Sequence, residues 1–169
     1  MNNTELPDDV NTKSALPDKF IRHPVHFLAL GFGLGCVPKL PGTAGTLAGV
    51  VFYFGLQLFN VVIYLSITLF LLLIGIWLCD RTARDLGVHD HPAIVWDEIT
   101  GYLITMILAP QGWIWAAAGF IAFRFFDICK PWPVSWADKK VAGGLGIMLD
   151  DVIAGIYGLV TLQIIAYML

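Results

Sequence analysis

Residues 43–79 read TAGTLAGVVFYFGLQLFNVVIYLSITLFLLLIGIWLC, and no side chain in that run is ionised before Asp80. A membrane-spanning helix needs roughly 20 apolar residues, and about 17 at the least, so the run is too long for one crossing. Gln57 and Asn60 interrupt it. The spacing predicts helices over about 43–58 and 61–79 joined by a tight turn. Residues 94–127 repeat the design, with Ala109-Pro110-Gln111-Gly112 as the turn signal, giving helices at about 94–109 and 113–128. A fifth is expected from about 148 to 168. The stretch Pro24–Cys36 is apolar but short and carries Gly31, Gly33 and Gly35; it reads as a re-entrant or interfacial segment.

The composition of the whole chain agrees. Hydrophobic residues make up 57% of the 169 and charged residues 14%, against roughly 25% charged in an ordinary soluble domain. Mean hydropathy is +0.74. A domain of this size cannot bury so much apolar surface in one aqueous core. The net charge of −3 leaves no basic footprint for DNA or RNA, so no nucleic-acid partner is expected. The fold class is therefore all-α: a polytopic membrane helical bundle of about five transmembrane helices plus the short N-terminal segment. Residues 1–22 contain Pro7 and Pro17 among mixed charges, without the apolar core of a signal peptide. They read as a flexible cytoplasmic tail, and residues 23–169 as a single membrane-embedded domain. Cys36, Cys79 and Cys129 are odd in number, contain no CxxC and lie in or beside apolar segments; reduced, buried thiols are expected.

Charge fixes an orientation. Every Lys and Arg lies in the tail, in residues 22–42, around Arg81 and Arg84, or between Arg124 and Lys140, and the turns at Asn60 and Gln111 have none. Five spans put all the basic segments on one side, which the positive-inside rule makes the cytoplasm. The C-terminus then lies outside.

Acids border the spans at Asp80, Asp97-Glu98, Asp127 and Asp150-Asp151, all on that cytoplasmic side. An ionisable group near membrane depth costs about 2.5–3.5 kcal/mol on insertion scales and usually faces protein or water. Asp80 with Arg84, and Arg81 with Asp85, have the i,i+4 spacing of surface pairs. Asp97-Glu98 and Asp150-Asp151 differ, because small residues follow each: Gly101 and Thr105, then Ala154, Gly155 and Gly158. Such faces let helices approach closely in lipid and would bring the two acidic ends together. Carboxylates so placed repel unless a cation compensates them, and oxygen-rich clusters suit Mg²⁺. Asp97, Glu98, Asp150 and Asp151 are the candidate metal ligands, with Asp127 and Glu98 the candidate catalytic carboxylates.

The complementary cations are close by in sequence. Arg124 and Asp127 share a helix face at i,i+3, with Lys130 just beyond. Pro38-Lys39-Leu40-Pro41-Gly42-Thr43-Ala44-Gly45-Thr46 runs into a helix start, where free N–H groups and the dipole make an anion site. Lys39, Thr43, Gly45, Thr46, Arg124 and Lys130 are the candidate phosphate-binding residues. His89-Asp90-His91 could hold a metal, although adjacent ligands in a loop more often sit at the surface. A metal, an anion site and a bilayer together point to a lipid phosphate. Cys-x5-Arg, Asp-x-Asp followed by Thr or Val, and Pro-Ser-Gly-His are all missing, which leaves attack by water with Mg²⁺ assistance.

Several blocks stand out in order: Gly31-Phe-Gly-Leu-Gly35, Pro41-Gly-Thr-Ala-Gly-Thr46, Gly87-Val-His-Asp-His91, Val95-Trp-Asp-Glu98, Phe123-Arg-Phe-Phe-Asp-Ile-Cys-Lys-Pro-Trp-Pro133 and Gly143-Gly-Leu-Gly-Ile-Met-Leu-Asp-Asp151 with Ala154-Gly155. In these blocks and their order the chain resembles the phosphatidylglycerophosphatase A family. The resemblance implies a bacterial inner-membrane enzyme. It would hydrolyse phosphatidylglycerophosphate to phosphatidylglycerol and inorganic phosphate with Mg²⁺, its site facing the cytoplasm. Two other readings compete. A small ion-coupled transport or scaffold protein would put its acids at mid-membrane depth, whereas here they flank helix ends. A CDP-alcohol phosphotransferase is faintly suggested by Asp80-Arg-Thr-Ala-Arg84, but that spacing is one residue short and the later acidic pattern is missing.

Overall fold

Asn60 starts the second helix of the first apolar run, its Oδ1 accepting the N–H of Ile63 at 3.0 Å. A short polar side chain at that position satisfies one of the N–H groups that a helix start leaves open. The computed structural model describes residues 18–88 and 90–169, and within them every regular element is helical. In chain order these are α1 (Asp18–Arg22), α2 (Pro24–Ala29), α3 (Pro41–Leu56), α4 (Val61–Leu86), α5 (Trp96–Thr105), α6 (Trp113–Cys129), α7 (Val134–Lys140) and α8 (Gly143–Met168). A 3-10 turn at Leu34–Cys36 separates α2 from α3. Both expected turns are present. They lie at one end of the bundle, where Gln57, Phe59 and Gln111 line a common cavity.

The count of full-length spans is corrected. Among the described residues only α4 and α8, 26 residues each, are long and apolar enough to cross a membrane. At about 1.5 Å per residue, the 16-residue α3 reaches ~24 Å and the 10-residue α5 only ~15 Å, against a hydrocarbon core of about 30 Å. Burial explains α5. Every residue in it except Glu98 is buried, and α3, α4, α6 and α8 all pack against it. A helix sheathed by protein on all sides is apolar all round and meets no lipid, so bilayer thickness does not set its length.

Small residues make that central packing possible, as expected. A Cβ on Gly155 would stand 2.6 Å from the Gly101 carbonyl oxygen, and one on Gly158 would stand 2.8 Å from Thr105. Thr105 Oγ1 donates to the carbonyls of Gly101 at 3.1 Å and Gly155 at 3.2 Å. The backbones of α5 and α8 therefore run nearly in contact. The start of α8 is corrected from about 148 to Gly143. Gly144 and Gly146, which read as loop residues, instead face backbone: a Cβ on Gly144 would strike the Ile76 carbonyl of α4. Gly144 N–H donates to Asp80 Oδ1 at 3.2 Å. Helix α4 likewise runs seven residues past its expected end, carrying the pairs Arg84–Asp80 at 2.7 Å and Arg81–Asp85 at 2.9 Å.

The N-terminal segment is a short clasp and no span. His26 in α2 holds α4 with both ring nitrogens, Nδ1 at 2.9 Å from Thr82 Oγ1 and Nε2 at 3.3 Å from Asp85 Oδ2. Burial pushes the His26 pKa down, outweighing the Asp85 carboxylate beside it. The expected tail straddles the described residues. Residues 1–17 lie outside them, while Phe20 of α1 is buried against Leu30 and Ala93. All three cysteines are free, but only Cys79 is buried; Cys36 and Cys129 are exposed, because each ends its helical turn at the bundle surface.

Candidate functional site

The site grows from the first turn of α5. Val95 N–H donates to the Ala29 carbonyl at 3.0 Å, and Trp96 Nε1 to the Leu71 carbonyl at 3.0 Å. These bonds fix the helix start, and Asp97 and Glu98 follow at once. On the facing helix Asp151 is 3% exposed, and a Cβ on Gly101 would stand 2.9 Å from its carbonyl. The glycine contact thus carries Asp151 to the α5 acids. Asp97, Glu98 and Asp151 each offer an oxygen, and these oxygens all lie within 4.8 Å of one another. Asp97 Oδ1, Glu98 Oε2 and Asp151 Oδ2 are buried without a hydrogen-bond partner.

Buried anionic oxygens left unpaired are costly. Three carboxylates that each bring an oxygen to one place are the donor set expected for a hard divalent cation, which takes oxygen ligands. The residues present fit such an ion. Asp150, the fourth expected ligand, is turned elsewhere: its Oδ2 accepts from Lys130 Nζ at 2.8 Å. The same ammonium bonds Asp138 Oδ1 at 2.5 Å. Burial opposes the charge on Lys130, yet the two carboxylates win and hold its pKa above the ordinary lysine value.

A cavity of about 280 Å³ lies over the carboxylates, lined by all five expected acids together with Arg124, Lys130 and Lys39. Arg124 pairs with Asp127 one turn on, as their spacing suggested, while its Nε is buried without a partner. Thr43, Gly45 and Thr46 are not in the cavity wall. Thr46 is fully buried with its hydroxyl donated to the Gly42 carbonyl at 2.8 Å. Gly45 packs on α5, where an added Cβ would stand 2.7 Å from Val95 Cβ. Helix α3 reaches the cavity through Pro41 and Gly42 instead. A Cβ on Gly42 would meet the Glu98 carboxylate and stand 3.0 Å from Arg124 Nη1. Pro41 has no N–H and Ala44 N–H returns to Leu40, so Gly42 and Thr43 carry the open donors of that turn.

Gly42 of the cavity wall, and Asp138, which bonds the wall residue Lys130 without lining the cavity itself, were missed as site members. Gly42 was quoted within the anion-site segment but given no role of its own, though its lack of a side chain is what lets α3 approach Glu98. Asp138, eight residues from Lys130, gave no periodic signal. Asp90 faces the same cavity, but His89 lies outside the described residues. His91 Nδ1 accepts the Ala93 N–H at 3.1 Å, which makes His91 a loop-shaping residue.

An all-α bundle with long apolar helices, carrying at one end a cavity where clustered carboxylates meet cationic side chains, defines a helical protein with a site that fits a divalent cation and an anion. The chain belongs to the phosphatidylglycerophosphatase A family, whose model matches residues 27–166. It is 48% identical over 140 residues to phosphatidylglycerophosphatase A of Escherichia coli K12, covering 79% of this chain and 78% of the relative. The Haemophilus influenzae protein of the same description is 46% identical over 147 residues, covering 86% and 90%. A Bacteroides thetaiotaomicron protein, described as a candidate phosphatidylinositol-3-phosphatase, is 33% identical over 145 residues, covering 81% and 90%. No solved structure matches the chain.

Proposed function

We propose that this chain hydrolyses phosphatidylglycerophosphate to phosphatidylglycerol and inorganic phosphate with Mg²⁺, at the cytoplasmic face of a bacterial inner membrane. The observation that carries the reading is the carboxylate cluster of Asp97, Glu98 and Asp151, each with a buried unpaired oxygen, in the cavity that Arg124 also lines. These three, with Asp150 near by, would hold a divalent cation, which when bound would supply positive charge against the carboxylates and the phosphoryl oxygens. Arg124 clamps the phosphate, its guanidinium offering donors in a fork that matches phosphoryl oxygens. Lys39 and the open N–H group of Gly42 complete the anion cradle, and Lys130 adds charge while anchored by Asp138 and Asp150. Asp127 lies beside Arg124 and orients the attacking water. The water oxygen bonds phosphorus as the bond from phosphorus to the glycerol oxygen breaks. Asp127 takes the water proton, and the departing oxygen is protonated from solvent.

Five antiparallel passes, of which the short α5 is sheathed by its neighbours, are consistent with the two charge-free turns at the end away from the cavity. The one-sided distribution of Lys and Arg supports a cytoplasmic site. The test is phosphate release by the purified full chain from phosphatidylglycerophosphate vesicles, with and without Mg²⁺. Phosphatidylinositol 3-phosphate, the substrate in the name of the Bacteroides relative, is the second substrate to run. Mg²⁺-dependent release from the first supports the reading, and release from neither overturns it.

A further inference from the structure

We propose that the apolar groove between α3 and α6 seats an acyl chain of the phosphomonoester lipid whose headgroup enters the charged cavity. This rests on reading that cavity as a lipid phosphatase site. The groove, about 360 Å³, is walled by Leu47, Val50 and Phe54 from α3 and by Trp113, Ala117 and Ile121 from α6. The α3 residues are spaced three and four apart and share one helix face. On α6, Trp113, Ala117 and Ile121 follow i, i+4, i+8, and Arg124 stands three further on, on the same stripe. One helix face therefore leads from apolar wall to guanidinium.

The same two helices line both spaces, since Gly42 of α3 and Arg124 and Ile128 of α6 border the charged cavity. From Trp113 to Arg124 the helix rises ~16 Å at about 1.5 Å per residue. Half of a hydrocarbon core of about 30 Å is ~15 Å, so the groove runs for about one leaflet. Leu47, Phe54, Trp113 and Ile121 are exposed, which leaves the groove unfilled by this chain. An amphiphile with its phosphate at Arg124 has its apolar part directed along that wall. The groove is concave, whereas a single helix face is convex. A chain lying in it touches two helices at once and gains dispersion contacts from both.

Ala117→Phe puts a ring into the groove at an exposed position, and Ile114→Phe, also exposed on α6 but outside the groove, is the control. Phosphate release is measured on the full chain with long-chain phosphatidylglycerophosphate in vesicles and with the deacylated, water-soluble headgroup. Ala117→Phe is expected to lower kcat/KM for the long-chain lipid at least about tenfold more than for the headgroup, and Ile114→Phe to lack that difference. Equal losses on both substrates, or no loss on either, would overturn the proposal. A second arm does not depend on turnover. A phosphatidylglycerophosphate with a diazirine near the acyl end is photolysed on the full chain in phosphatidylcholine vesicles, and adducts are mapped. Adducts concentrated at the groove, and displaced by unlabelled phosphatidylglycerophosphate, support it. Adducts spread evenly over the exposed apolar faces, or undiminished by that competitor, overturn it. An unmodified chain that hydrolyses neither substrate contradicts the enzymatic reading, while the adduct map still decides the groove.

Discussion

Arg124 and the carboxylates around it show how much one position can decide. Its ion pair with Asp127 is a helix-face contact, visible in the i,i+3 spacing, whereas its place beside Gly42 depends on two segments eighty residues apart. Arg124→Lys retains the charge but loses the fork. It is expected to lower kcat/KM at least about tenfold, read by initial rates on vesicle substrate; a rate equal to the parent would make Arg124 a partner of Asp127 alone. Gly42→Ala is expected to be damaging too, because the added methyl meets the Glu98 carboxylate; a loss of phosphate affinity, measured by product inhibition, checks it. The acids and Arg124 were legible because charge in apolar sequence is conspicuous. Gly42 and Asp138 were not, since their roles come from tertiary contacts that no local spacing encodes. Thr46 differs for a local reason: its hydroxyl is taken up by its own helix, four residues back at Gly42.

Helices were legible where turns punctuate them and less so where glycine serves packing. Asn60 and Gln111 divided the apolar runs correctly, but Gly143, Gly144 and Gly146 read as loop although they open α8. The period of the sequence also could not reveal that α5 is wrapped on every side and so stops after 10 residues. Gly155→Leu is expected to force α5 and α8 apart, destabilising the fold by about 1–3 kcal/mol as overpacking does, measured by thermal unfolding in detergent with activity followed in parallel. The α2 clasp adds a pH dependence. The unfolded chain protonates His26 near 6.5, while the folded value is lower. The unfolded state therefore binds the proton first, so the contribution is whole above about pH 6.5 and is lost as pH falls through the folded value. Unfolding measured between pH 7.5 and 5 should show stability falling with pH, and His26→Gln should flatten that slope.

At the scale of the molecule, one end of the bundle gathers the charged groups and the other gathers the two charge-free turns. Single cysteines at Asn60 and Lys139, both exposed, in a chain lacking Cys36, Cys79 and Cys129, should label differently with an impermeant reagent on intact cells. Position 60 is expected to react and position 139 to stay protected; equal labelling would contradict the orientation. The catalytic claim is tested most directly by Mg²⁺ titration of phosphate release for the parent chain, Asp97→Asn and Asp151→Asn, all purified in folded form. Amide substitution preserves shape and removes the charge that a hard cation needs. Both variants are expected to lose about 10²-fold or more in rate, on the scale of losing an acid–base group, with the residual activity needing more Mg²⁺. Parent-like rates and an unchanged Mg²⁺ requirement in both variants would contradict a metal centre at Asp97, Glu98 and Asp151.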